Sequence, residues 1–491
     1  MTDTIPPLDG RRASSVLAAL CACTALVIGF VAAINLAVPM IAASALHPSS
    51  SELLWIVDGY VVVFACLVIP AGAAGDRFGR KGVLLAGLAA LAAGAAVSAL
   101  APTVTIMLAG RVLTGVGAAL VLPNTMGVLV HTMPPARRGR AIATWAGMSG
   151  IGGVIGNVGG GLLMTTGDWR LLFVAVALIA AGCATWVAVA VPRTGRHSRA
   201  LDPAGTVTFV AAIVALLAGI IEGPESGWAS PLVLGCFAAA AALLVVWVLI
   251  ERRVAHPMLD PRIFRSPLLS AASVGMLVAF FANFGLFYVN ASLLQYGRGF
   301  TVLEAGLGVV PLVVPVLAGV RFVPRLVSRI GRSAVLALAF LATSGGLLGL
   351  STAISQPYAV YACWLVVVGI GVTLALPTLT AEITDGLPAE QAGVAGGLQS
   401  ATRELGSALG VAVVGTILTA VFSGALPASL RGPDGPHTVA EALATAPAQR
   451  PEIVHAFTDG AASALLITSL IAFAAGLVVV AGSAWAARHT H

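Results

Sequence analysis

Charge is what this chain lacks most: Asp, Glu, Lys and Arg together make up 9% of its 491 residues. A soluble domain carries about 25% of these residues, because its surface must be hydrated. The shortage excludes a soluble globular protein, and the 58% of hydrophobic residues, with a mean hydropathy of +0.99, points to lipid as the covering medium. Lysine is almost missing. Lys81 is the only one, so the formal net charge of +6 comes from arginines scattered over short connections, which is not a nucleic-acid footprint. The six cysteines, at 21, 23, 66, 183, 236 and 363, lie inside apolar runs and lack metal-ligand spacing, so they read as small packing residues. The histidines fall in connections, tails or the ends of apolar runs, which leaves no intramembrane histidine relay. No G-x-x-x-x-G-K-[ST] loop is present, so ATP is not the direct energy source. A membrane enzyme would need a His, Asp or Cys constellation at a membrane face, and none is visible; no metal or other cofactor is expected.

What the chain has instead is long apolar runs. A helix needs about 20 apolar residues to cross the hydrocarbon core, and that ruler gives about fourteen spans. They are 16–43, 53–72, 83–100, 104–130, 141–165, 171–191, 205–221, 231–250, 268–293, 305–322, 333–353, 358–380, 393–422 and 461–486. The first follows Arg11 and Arg12 but is too long for a signal-peptide core of about 7–15 residues, so it reads as an uncleaved span. Basic residues fall at the N-terminal tail and in every second connection: Arg77, Arg80, Lys81, Arg137, Arg138, Arg140, Arg193, Arg196, Arg199, Arg252, Arg253, Arg262, Arg265, Arg325, Arg329 and Arg332. The opposite connections hold only Arg170, Arg298, Arg431 and Arg450, which places both termini in the cytoplasm. The connection 382–391 dissents, because it is acidic and has no basic residue.

An internal repeat organises the spans. Arg77, Gly79 and Arg80 recur as Arg329, Gly331 and Arg332. Gly115, Gly117 and Pro123 recur as Gly369, Gly371 and Pro377, and Gly152 and Gly156 recur as Gly406 and Gly410. The offset is about 250 residues throughout, the mark of two related halves. The expected architecture is therefore an all-α membrane protein: a six-helix bundle over 1–200, a linker with two extra spans over 201–265, and a second six-helix bundle over 266–491. Parallel six-span repeats are the framework of alternating-access transporters.

The run from Gly72 to Lys81, GAAGDRFGRK, resembles the G-x-x-x-D-R-x-G-R-K signature of the major facilitator superfamily. The resemblance implies a conformational latch at Asp76, Arg77, Gly79 and Arg80, made in one state of a rocking cycle and broken in the other. Arg111, preceding Gly115 and Gly117, resembles the family's intramembrane arginine that serves proton coupling; the alternative is an arginine snorkelling to the interface. The fifth span, with Gly152, Gly156, Asn157, Gly160 and Gly161, resembles the glycine motif of the superfamily's exporters. Asn157 stands where that motif has proline, which puts the helix kink in doubt. The Trp55–Tyr60 run, Trp169-Arg170 and the Gly393–Gly406 stretch narrow the resemblance to the fourteen-span drug:proton antiporters of Gram-positive bacteria and actinomycetes. Members of that group often carry a first-span aspartate five residues before the Asn35 position; here Phe30 stands there.

Few embedded carboxylates remain. Asp58 and Arg111 lie at matched depth, at about 1.5 Å per residue from the same side. Glu404 lies near mid-membrane, where a charge is expensive. Arg403 is next to it, but adjacent helical residues point about 100° apart and need not pair. These four residues are the candidates for proton coupling, with a structural partnership as the alternative for Glu404. Asn35 and the ninth-span set Phe280, Asn283, Phe284, Phe287 and Tyr288 would line an apolar substrate cavity, unless the aromatics face lipid. The resemblance implies proton-motive export of a hydrophobic or cationic drug by a monomer in the cytoplasmic membrane, with a facilitator or importer of another small metabolite as the alternative. The topology has a direct check. A cysteine placed at Pro436 should react with a membrane-impermeant thiol reagent added outside the cell, and labelling only from the cytoplasmic side would refute it.

Overall fold

The computed structural model describes residues 10–193, 202–254, 257, 261–387, 392–431, 435–436 and 438–489. The bundle boundary expected at residue 200, together with Arg196 and Arg199, lies outside them. The described residues are helical throughout, with no strand among them. The helices are α1 (Gly10–Ala42), α2 (Ser50–Phe78), α3 (Arg80–Ala99), α4 (Val104–Thr132), α5 (Pro135–Leu163), α6 (Arg170–Ala190), α7 (Pro203–Ser226) and α8 (Pro231–Glu251). They continue with α9 (Pro267–Ser292), α10 (Val302–Leu307), α11 (Val310–Gly319), α12 (Val323–Ile330), α13 (Arg332–Thr352), α14 (Tyr358–Asp385), α15 (Ala392–Ala425), α16 (Val439–Thr445) and α17 (Arg450–His489). Thirteen helical segments among the described residues are long and apolar enough to span a bilayer. The fifth expected span is helical too, within α5, and Ile151–Thr166 is its described apolar stretch. The tenth span is one pass built from three pieces, α10 to α12, with Pro311, Pro315 and Pro324 breaking the backbone ladder.

The local chemistry explains where helices begin. Ser49 and Glu52 form a capping box at the start of α2, and Thr301 and Glu304 repeat it at α10. Thr103, Asp202, Ser230 and Ser266 cap α4, α7, α8 and α9 with side-chain oxygens. The repeated glycines of the two Gly-Arg turns share a reason. Gly79 has φ 98° and Gly331 has φ 84°, a region L side chains avoid, and each sets the next helix off at its arginine.

The glycine repeat marks equivalent crossings in the two halves. A Cβ on Gly156 would run into the carbonyl of Gly29, so α5 lies directly on α1. Gly406 and Gly410 meet the carbonyls of Leu277 and Phe281 in the same way, laying α15 on α9. Gly115 faces the Tyr60 carbonyl of α2, and Gly369 faces the Leu312 carbonyl of α11. Small residues let backbones approach where lipid gives no hydrophobic drive for helices to associate.

The halves join toward the end opposite the arginine-rich turns. There Gly161 packs on Val302 and Leu303, Gly306 packs on Asn157, and Leu54 reaches Gly415. The Gln295 side-chain amide donates to the Leu36 carbonyl at 3.4 Å, and the Tyr296 hydroxyl donates to the Pro39 carbonyl at 3.2 Å. Helix α7 lies against both α2 and α15, with the Thr416 hydroxyl donating to the Ile220 carbonyl at 3.1 Å. Helix α8 packs on α7 and leaves Leu232, Leu234, Val245 and Leu249 exposed, as a lipid-facing helix must.

Two further connections carry structure of their own. Between the last two spans α16 forms a short helix and α17 starts already at Arg450, with His455 and Asp459 paired one turn apart at 2.9 Å. The acidic end of α14 also has partners. Arg332 pairs with Asp385 at 2.5 Å, and the Ser483 hydroxyl donates to Glu382 at 2.6 Å. Glu382 and Asp385 thus serve neighbouring helices, and the rest of that connection, 388–391, lies outside the described residues. Two arginines at the arginine-poor end have the same kind of reason. Arg298 donates to the carbonyls of Ala353, Ile354 and Gln356 after α13, and Arg170 donates to the Ala101 carbonyl after α3.

These crossings predict that Gly156→Leu lowers stability by roughly 1–3 kcal/mol through forced separation of α1 and α5. Gly153→Leu, one turn away with no heavy atom near its Cβ position, should be tolerated. Thermal unfolding of the two variants in detergent checks this, and equal melting temperatures would contradict the packing.

Candidate functional site

Arg111 is the largest fully buried side chain among the described residues, so it does not snorkel to the interface. Thr114, one turn on, donates to the Arg111 carbonyl at 2.8 Å. The guanidinium reaches from α4 into α2, where Nε donates to the Ile56 carbonyl at 2.6 Å and an Nη to the Val57 carbonyl at 3.3 Å. Its centre lies 4.9 Å from the ring centroids of both Phe30 and Tyr60. Two backbone acceptors and two aromatic faces thus replace the water a charge would have outside. Tyr60 is anchored in turn by donating to the Val27 carbonyl at 3.3 Å, and its ring meets Phe30 edge-on at 5.6 Å.

Asp58 sits one residue beyond those carbonyls, fully buried, and neither carboxylate oxygen has a hydrogen-bond partner. The structure brings Asp58 and Arg111 into one another's electrostatic range without joining them, because the guanidinium is committed to Ile56 and Val57. One guanidinium nitrogen, Nη1, is left without a partner. Tyr288, from the second half, also lies within electrostatic range of Asp58.

A second cluster lies on α15 and α9. Glu404 is buried, and Arg403 Nε donates to it at 2.7 Å. Sequence spacing left the pairing of these neighbours open, and the arginine side chain is long enough to curl around the helix to the adjacent carboxylate. The same guanidinium stands 5.7 Å from the Phe280 ring centroid. Phe280 stacks on Phe284 at 6.1 Å, and Phe284 meets Phe287 edge-on at 5.8 Å, so the expected aromatic set is continuous. Tyr288 is buried against Gly415. Asn283 Oδ1 has no partner on this wall, and Asn35 Oδ1 has none on α1, where its amide nitrogen donates to the Val31 carbonyl at 3.1 Å. Tyr60 is within electrostatic range of Arg111, Arg403 and Glu404.

The remaining candidates lie elsewhere. Asp76 and Arg80 pair one turn apart at 2.5 Å, and the Arg80 guanidinium lies on Gly127 of α4, where a Cβ would displace it. Arg77 lies over the Phe78 ring at 5.5 Å. In the repeat, the position of Asp76 is Ser328, which explains why Arg332 turns to Asp385 instead. Gly152, Gly156 and Gly160 face Ala25, Gly29 and Ala33 of α1, whereas Gly161 and Asn157 face α10. Asn157 donates to the Gly153 carbonyl at 2.9 Å within an unbroken α5. Sequence reasoning missed the roles of Phe30 and Tyr60. The one available signal was the aromatic residue standing where an acid was expected, beside a buried arginine.

A bundle of two repeated halves with buried charges at their seam defines a transport protein, and comparison with known proteins agrees. Residues 20–411 match the family model described as Major Facilitator Superfamily, and the chain belongs to that family. It is 34% identical to the tetracenomycin C resistance and export protein of Streptomyces glaucescens, over 76% of this chain and 70% of that protein. It is 32% identical to the methylenomycin A resistance protein of Streptomyces coelicolor, over 80% of this chain and 85% of that one. Multidrug resistance protein Stp of Mycobacterium tuberculosis is 31% identical over 80% of this chain and 73% of its own length. Among solved structures, the fold matches an inward-facing, unoccupied bacterial homolog of the human lysosomal transporter Spinster. The TM-score is 0.71 at 17% identity, covering 97% of this chain and 98% of that one.

Two variants probe the site. Arg111→Lys keeps the charge but cannot bond two carbonyls and stack on two rings, so transport in vesicles should fall about tenfold or more. Unchanged transport would mean that charge alone suffices. Asp76→Asn should slow transport while substrate binding, measured by equilibrium dialysis, stays within about twofold, because Asp76 is remote from the aromatic wall.

Proposed function

We propose that the protein exports a hydrophobic or cationic drug-like molecule across the cytoplasmic membrane in exchange for protons, by alternating access, with both termini in the cytoplasm. The resistance and export relatives support the direction, and the glycine-built crossings of α5 supply rigid halves that can rock. The observation that carries proton coupling is the Asp58 carboxyl, buried with no hydrogen-bond donor beside a guanidinium held by other acceptors. A carboxylate in that position must be neutralised by a cation or by a proton. If Arg111 leaves the Ile56 and Val57 carbonyls and turns to Asp58 in the other state, the carboxyl exchanges its proton for an ion pair once per cycle.

Glu404, partnered by Arg403 and adjoining the Phe280–Phe287 wall, is the second titrating group or the attraction for a cationic substrate. No ATP and no cofactor enters; proton-motive force is the drive, and one chain suffices. A facilitator or importer of another small metabolite is the second reading, and the buried unpaired acid argues against a purely passive path.

Everted vesicles loaded by an imposed pH gradient test this with a lipophilic cation such as tetraphenylphosphonium. Asp58→Asn should abolish gradient-driven uptake while binding persists, and Glu404→Gln should chiefly weaken binding of the cation. Full gradient-driven uptake by the Asp58→Asn protein would move the proton to Glu404.

A further inference from the structure

Away from the seam between the halves, a groove of about 500 Å³ opens between α11–α12 and α14. Its walls are apolar, with Pro315, Phe322, Ile370 and Leu374 among them, and its arginine-rich end carries Arg325 and Arg329. The groove faces outward. On α14, Tyr361, Leu365, Val372 and Leu379 are buried, with Tyr361 and Leu379 turned to α9, whereas Ile370 on the opposite side is 43% exposed. In a spanning helix bundle an outward apolar surface meets acyl chains.

The depth also fits a lipid. The segment Val302–Ile330 has 29 residues, which at about 1.5 Å per residue is longer than the roughly 30 Å hydrocarbon core. The last turns of α12 therefore reach the headgroup layer. Arg325 and Arg329 are one turn apart on one face of α12, both exposed, and neither has an ion pair among the described residues. The nearby Arg332 differs, because Asp385 already neutralises it. Two uncompensated guanidiniums above an apolar trough match a phosphate headgroup with its chain below.

We propose that this groove binds an anionic phospholipid, with its phosphate on Arg325 and Arg329 and an acyl chain along Phe322, Ile370 and Leu374. The site is separate from the transport pathway and does not depend on the direction or coupling of transport. A lipid here would brace α12 against α14, and the protein would then depend on the anionic fraction of its membrane.

The test uses the purified full chain in neutral detergent, titrated with phosphatidylglycerol or with phosphatidylcholine of the same chains. Bound lipid is counted by native mass spectrometry, and thermal unfolding is followed in parallel. Phosphatidylglycerol should bind about tenfold to thirtyfold more tightly than phosphatidylcholine and raise the melting temperature. Arg325→Gln with Arg329→Gln should erase that preference, while Arg253→Gln, an exposed arginine on another connection, should keep it. Ile370→Trp fills the trough with both arginines intact and should also lose the stabilisation, which decides the matter if the double variant does not fold. Glycerol phosphate alone should produce no shift. Equal binding of the two lipids, a preference that survives in the double and Ile370→Trp variants, or an equal shift with glycerol phosphate would overturn the proposal.

Discussion

A full positive charge inside a lipid-embedded bundle must be solvated by the protein itself, and Arg111 shows how this chain does it. The guanidinium of α4 bonds two carbonyls of α2 and lies against rings from α1 and α2. Three helices of the N-terminal half are therefore tied at one point, and the arrangement leaves Asp58 buried without a donor. Everything proposed about coupling descends from that division: carbonyls hold the cation in this state, and the acid waits. Phe30 replaces a carboxylate with a quadrupole, so Arg111 is held without a fixed counter-charge in α1.

The second half answers with a different solution to the same problem. Glu404 is paired by its own neighbour, and Arg403 spends its remaining face on Phe280. Under the proposed function, a cationic guest would compete with Arg403 for this carboxylate and ring. Tyr60 stands within electrostatic range of both clusters and gives them a shared neighbour across the seam. Within each half the helices meet closely through glycines, as at Gly156 on Gly29 and Gly410 on Phe281.

Much of this was legible before any coordinates, for identifiable reasons. Apolar length is a one-dimensional property, so the spans could be measured directly. The Gly-Arg turns repeat because positive φ at Gly79 and Gly331 admits only glycine comfortably. The crossings at Gly156 and Gly410 repeat because a backbone occupies the place of a side chain. The cage around Arg111 was not legible, since its bonds go to carbonyls 54 and 55 residues away, and carbonyls carry no sequence signature. The Arg403–Glu404 pair was left open by the sequence, because helical geometry fixes where Cβ atoms point but not where a long side chain ends. The partners of the acidic end of α14 were not legible either, because Arg332 and Ser483 come from other helices. The short helix α16 between the last two spans was not legible, because its start rests on a capping threonine, Thr438, in a polar, proline-bearing stretch.

The central claim is that Asp58 carries the exchanged proton. It is tested most directly by counting protons released when substrate binds. The protein, in weakly buffered detergent with a pH-indicator dye, is mixed with saturating lipophilic cation across a range of starting pH. The account predicts a pH-dependent release from the wild type that disappears in Asp58→Asn while cation binding remains. Undiminished release from the Asp58→Asn protein, lost instead in Glu404→Gln, would contradict it.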